Sequence, residues 1–93
     1  MRAVVILGKH ARKQLPRVPR HVADKLAGWA LLVEAKGLRE ARRVPGFHDE
    51  PLAGDRRGER SVRLSRAYRA IYTVSENGEV EIVTVEEVMK HDY

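Results

Sequence analysis

The sequence predicts an α+β domain, an antiparallel-rich twisted sheet with a two-helix hairpin packed on one face. Three observations carry that expectation. Val4-Val5-Ile6-Leu7 is a β-branched run closed by Gly8. Val22, Leu26, Trp29, Leu32 and Val33 recur at the spacing of an amphipathic helix. The second half holds three strand-like runs, and Asn77-Gly78 between the last two is a strong hairpin signal, because both residues tolerate positive φ.

Taken in order, Val4 to Leu7 reads as a short buried strand. Lys9 to Leu15 forms a short helix that Pro16 stops. Pro19 suits the first turn of the second helix, and Gly37 marks its end or a break. Leu38 to Arg43 resumes the helix until Val44-Pro45-Gly46 ends it. Residues 47–58 combine a proline, two glycines and five charges, which reads as a loop. Arg60 to Ser65, Tyr68 to Val74 and Val80 to Val88 are then three strands in a meander.

A chain of 93 residues forms one domain, residues 1–93, with a modest core that buries roughly 60–65% of the unfolded surface. Hydrophobic residues at 43% and charged residues at 33% indicate a globular composition with a charged exterior. The absence of cysteine excludes disulfides and thiolate metal sites. The longest interior apolar run, Trp29 to Val33, is far below the roughly 20 residues that span a bilayer. The N-terminal stretch turns basic at once and fits no signal peptide. The expectation is a cytoplasmic protein with no membrane partner.

The net charge of +5 and the pI of about 10.0 favour a polyanionic partner. Arg56, Arg57, Arg60, Arg63, Arg66 and Arg69 fall in one segment with Glu59 as its only acid. On a strand, Arg63 shares a face with Ser61 and Ser65, opposite Val62 and Leu64. Guanidinium groups grip phosphate through paired donors and stay charged. Arg69, inside the apolar run Tyr68-Arg69-Ala70-Ile71-Tyr72, needs either a ligand or a structural partner such as Glu81 or Glu87. None of the four histidines has metal-ligand spacing, so no metal and no cofactor is expected. The chain closes on Lys90-His91-Asp92-Tyr93, which joins an ammonium, an imidazole, a carboxylate and a phenol.

Read together, residues 47–58, Arg60-Ser61-Val62-Arg63-Leu64-Ser65, Ala67-Tyr68-Arg69-Ala70-Ile71-Tyr72 and His91-Asp92-Tyr93 resemble the RelE/HigB toxins of the RelE/ParE superfamily. The resemblance covers about the last half of the chain; the first half matches only in its strand–helix–helix order. It implies a small RelE-like fold and a type II toxin that cleaves mRNA in the ribosomal A site, against 16S rRNA. Cleavage would be metal-independent, by attack of the ribose 2′-hydroxyl, and a cognate antitoxin would silence it.

Residue by residue, the resemblance gives Arg69 the scissile phosphate, Arg63 the place of a basic catalytic residue on the preceding strand, and His48 the place of a loop histidine. His91, Asp92 and Tyr93 match the C-terminal catalytic cluster, although their order departs from the Asp-Tyr-His often found there. Arg60 stands where an aromatic residue often precedes the Ser-Val-Arg strand. Arg56, Arg57, Arg60 and Arg66 would hold RNA or the ribosome. Two rival readings are a ParE-like gyrase inhibitor without nuclease activity and a small basic nucleic-acid-binding module without activity.

Overall fold

The computed structural model describes residues 2–90. Strand β1 (Arg2–Leu7) leads into α1 (Lys9–Gln14), which tightens into a 3₁₀ turn at Leu15–Arg17, where Pro16 removes a backbone donor. Pro19 caps α2 (Arg20–Lys36), and Gly37, at φ 91°, bends the chain into α3 (Leu38–Arg42). Strands β2 (Glu50–Pro51), β3 (Arg60–Arg63), β4 (Tyr68–Asn77) and β5 (Val80–Lys90) follow.

The sheet order is β1-β5-β4-β3-β2, with β1 parallel to β5 and every other pair antiparallel. The expected meander is therefore present as β3-β4-β5. Residues 47–58 depart from the expected plain loop: Glu50 and Pro51 pair with Ser61 and Arg60 and add an edge strand. Two residues ending in proline carry too weak a period to be seen in sequence. The β4–β5 turn is also one residue out. Asn77 still pairs with Val80, so the two-residue loop is Gly78-Glu79, and only Gly78 takes positive φ, at 64°. Gly at the first loop position is the type II′ arrangement. The first strand is half-buried rather than buried, because it forms an edge and only Ala3 is enclosed.

The core lies between the helices and one face of the sheet. Val22, Leu26, Trp29 and Val33 of α2 meet Val62, Ala70, Tyr72, Val83, Val85 and Val88, and Leu38 and Ala41 of α3 extend the layer. Helix α1 lies against β5, and α2 against β1 and α3. Trp29 and Tyr72 stack in a tilted pair, with ring centroids 5.0 Å apart. Among the described residues no helix is long and apolar enough to cross a membrane.

Candidate functional site

Strand alternation sends Val62, Ala70, Tyr72 and Val88 to the helices and their neighbours to the opposite face. Two rows of side chains result there. One runs Glu50, Ser61, Ile71, Glu87 across β2 to β5, and the next runs Arg63, Arg69, Met89. Segment 52–58 leans over these rows, because Arg56 reaches across to Glu87 while also binding Glu59 at 2.7 Å. Between that segment and the sheet lies a cleft of about 300 Å³, whose lining includes Glu50, Arg56, Ser61, Arg69, Ile71 and Met89.

Arg63 and Arg69 stand directly opposite each other across β3–β4. Like charges in that position repel, so the pair costs stability unless anionic groups reach it. Arg69 is nearly enclosed. Its Nη1 donates to Ser61 Oγ at 3.1 Å and lies 3.6 Å from Glu50 Oε1. The partner foreseen on β5 is thus replaced by one on β2, and Glu87 serves Arg56 instead. Arg63 makes no ion pair among the described residues, and its buried Nε has no hydrogen-bond partner there. The other oxygen of Glu50 lies 3.7 Å from His48 Nε2, so this carboxylate joins His48 to Arg69 at the mouth of the cleft.

Arg60 is a correction. It has the parity of Val62, not of Ser61 and Arg63, so it lies on the helix-covered side rather than with the cleft arginines. There its Nε donates to Asp49 Oδ1 at 2.7 Å, and the Asp49 side chain has no exposed surface. Tyr72 donates its hydroxyl to Asp49 Oδ2 at 2.5 Å and accepts from Arg42 Nε at 3.3 Å. Burial disfavours the Arg60 cation, yet the hydrogen bond and charge of Asp49 outweigh it, so its pKa rises. The pKa of Arg56 is likewise raised, first by its hydrogen bond to Glu59 and then by Glu87. Both arginines are held by carboxylates of this chain.

His48 sits in the left-handed region at φ 46°, exposed beside the cleft; Arg57 and Arg66 are exposed on loops outside its lining. His91, Asp92 and Tyr93 lie outside the described residues; Met89, two positions earlier, lines the cleft. Sequence reasoning did not single out Glu50, and it met Ser61 only as a face-mate of Arg63. Glu50 had one weak signal, the extended backbone that a following proline favours, which names neither a strand partner nor a facing.

Charge is distributed differently from the reading of the arginine-rich segment alone. Residues 9–43, the helical layer, hold ten Lys and Arg against three Asp and Glu, net +7. The rest of the chain holds eight against ten, net −2.

No family model and no curated protein matches the sequence. Solved structures do match. The YoeB/ParE toxin from Agrobacterium tumefaciens aligns at TM-score 0.66 and 23% identity, over 99% of this chain and 100% of its own. The toxin–antitoxin complex RelBE2 from Mycobacterium tuberculosis gives 0.69 and 20%, over 98% and 100%. The E. coli DinJ-YafQ toxin–antitoxin complex gives 0.74 and 16%, over 98% and 94%. At such identities the likeness concerns the fold. The chain has the RelE-like toxin fold that its sequence predicts.

Proposed function

We propose that this chain is the toxin of a type II toxin–antitoxin pair, an endoribonuclease that cuts mRNA on the ribosome without a metal and so stops translation. The observation that carries the reading is the opposed pair Arg63 and Arg69 beside the cleft, on the face of a RelE-like sheet turned away from the helices. Two guanidinium groups beside an open cleft suit a phosphodiester, whose transition state gains negative charge. In the reaction the 2′-oxygen attacks the adjacent phosphorus and the bond to the 5′-oxygen breaks. The products are a 2′,3′-cyclic phosphate and a 5′-hydroxyl. Glu50, at the cleft mouth beside Arg69, takes the 2′-hydroxyl proton; His48 lies beside it. The His91-Asp92-Tyr93 cluster returns a proton to the leaving 5′-oxygen. Arg56, Arg57 and Arg66 fringe the RNA path, 16S rRNA is the wider surround, and the protein acts in the cytoplasm. Because RelBE2 and DinJ-YafQ are toxin–antitoxin complexes, a cognate antitoxin is proposed here too.

The test is induction of the chain alone, with mapping of mRNA ends on translating ribosomes. Wild type should arrest growth and leave 5′-hydroxyl ends, and a co-expressed neighbouring antitoxin should relieve the arrest. Arg69→Ala should stay folded and lose roughly 10²–10³-fold in cleavage. Arg69→Lys should also be impaired, since a point charge cannot make the two-pronged contact. Soluble protein with neither arrest nor cleavage rejects the reading; inhibited gyrase supercoiling without cleavage turns it to the ParE-like one.

A further inference from the structure

The catalytic reading gives no part to one cluster, the enclosed carboxylate of Asp49 with Arg60, Tyr72 and, behind them, Arg42. It lies on the helix side of the sheet, across the strands from the cleft. Burying a charge is costly unless its partners are well aligned, and here two donors reach it at 2.5 and 2.7 Å. An apolar residue would fill such a place at less cost, so the cluster calls for a purpose.

Its place in the chain supplies one. Asp49 is the residue between His48 and Glu50, the two groups that meet at the mouth of the cleft. Strand β2 is two residues long, and Pro51 lacks a backbone donor, so the ladder alone holds this segment weakly. Beside the ladder, His48 N donates to Pro45 O at 3.1 Å and Leu52 N to Glu59 O at 2.9 Å, while Asp49 itself sits between these two ties. A side chain pinned inward at Asp49 turns Glu50 outward by alternation, onto the row of Ser61 and towards Arg69. Tyr72 is itself fully enclosed and packed against the Trp29 ring. The cluster thus ties a short, weakly paired edge to the rigid core.

We propose that Asp49, clamped by Tyr72 and Arg60, is a positioning residue that fixes the Glu50 carboxylate against Arg69 and so sets the rate of the chemical step rather than RNA binding. Its kinetic arm rests on the ribonuclease reading; its geometric arm does not. Misplacing a reacting group by about 1 Å costs up to 10²-fold in rate. Tyr72→Phe removes one clamp and keeps the ring, so kcat should fall on the order of 10-fold with KM within about 2-fold of wild type. Asp49→Asn keeps an acceptor for the Tyr72 hydroxyl and should fall between wild type and Asp49→Ala.

The experiment is a double-mutant cycle of Tyr72→Phe with Glu50→Gln, measured at a temperature where all four proteins are folded. A positioning role makes the cycle non-additive, because without the Glu50 carboxylate the clamp has little left to hold. Additive losses, or a KM rise with unchanged kcat, overturn the proposal. The geometric arm uses the Arg69 side-chain 15N resonances, which Glu50→Gln should displace. Tyr72→Phe should displace them in the same direction, and Arg69 resonances unmoved by Tyr72→Phe overturn the proposal whether or not the protein cuts RNA. Absence of cleavage by every form rejects the ribonuclease reading instead, and the resonances then decide the clamp by themselves.

Discussion

Tyr72 donates its hydroxyl to the enclosed Asp49 carboxylate and accepts from Arg42. Burial pushes its pKa up to about 12, and the hydrogen bond to Asp49 adds to that, while Arg42 works the other way. The folded state therefore favours the protonated phenol, whereas an unfolded tyrosine titrates near 10. The resulting stabilisation is complete below pH 10 and is lost as pH rises from 10 through 12, with a full size of roughly 2–3 kcal/mol. Urea midpoints should fall more steeply across that window for wild type than for Tyr72→Phe, which has no phenol there to ionise. Parallel curves for the two proteins would contradict the assigned shift. The same residue shows what one-dimensional reading misses. Arg63 was legible as sharing a strand face with Ser61, because that follows from local alternation, whereas Tyr72 was legible only as part of an apolar run. Asp49 gave no sign of its burial, since its partners are supplied from 11 and 23 residues away. Arg60 belonged by composition to the basic segment and by parity to the other side of the sheet.

Elements with a strong period or a strong stop were legible. Helix α2 has four of its stripe residues buried, and Leu32 is packed at the margin of the core. Pro16, Pro19 and Gly37 divide the helical half where their backbone chemistry requires. Strand β2 was not legible, because its pairing is created by β3 and not by any repeat of its own. At the other end of the sheet, β5 runs to Lys90, opposite Tyr68, and brings Met89 beside Arg69. The next three residues are His91, Asp92 and Tyr93. Their deletion tests whether the end of the chain supplies the leaving-group proton. The shortened protein should melt within a degree or two of wild type, as removal of a few terminal residues is as a rule tolerated. Its cleavage should fall by about 10²–10⁴-fold, the usual span of general acid–base catalysis. Full activity in the shortened protein would remove all three residues from the mechanism.

For the molecule as a whole, the charge map separates two roles. The cleft arginines are few and largely engaged: Arg56 with Glu59 and Glu87, Arg69 with Ser61 and Glu50. The excess of positive charge lies instead on the helical layer, where Lys36 and Arg39 are exposed and make no ion pair among the described residues. A folded RNA presents phosphates over a wide surface, so under the proposed function long-range attraction should draw on this layer and the chemistry on the cleft. Lys36→Glu with Arg39→Glu should therefore raise KM for ribosome-bound message and leave kcat nearly unchanged. The plot of log affinity against log salt should also flatten, by roughly 0.7–0.9 for each phosphate no longer neutralised. Arg42 is kept as it is in this variant, because its bond to Tyr72 ties it to the Asp49 clamp and would mix the two effects. An unchanged KM and an unchanged salt slope would show that the helical charge does not face RNA. A fall in kcat at constant KM would mean that the layer acts on the cleft through α3, and the division between attraction and chemistry would fail.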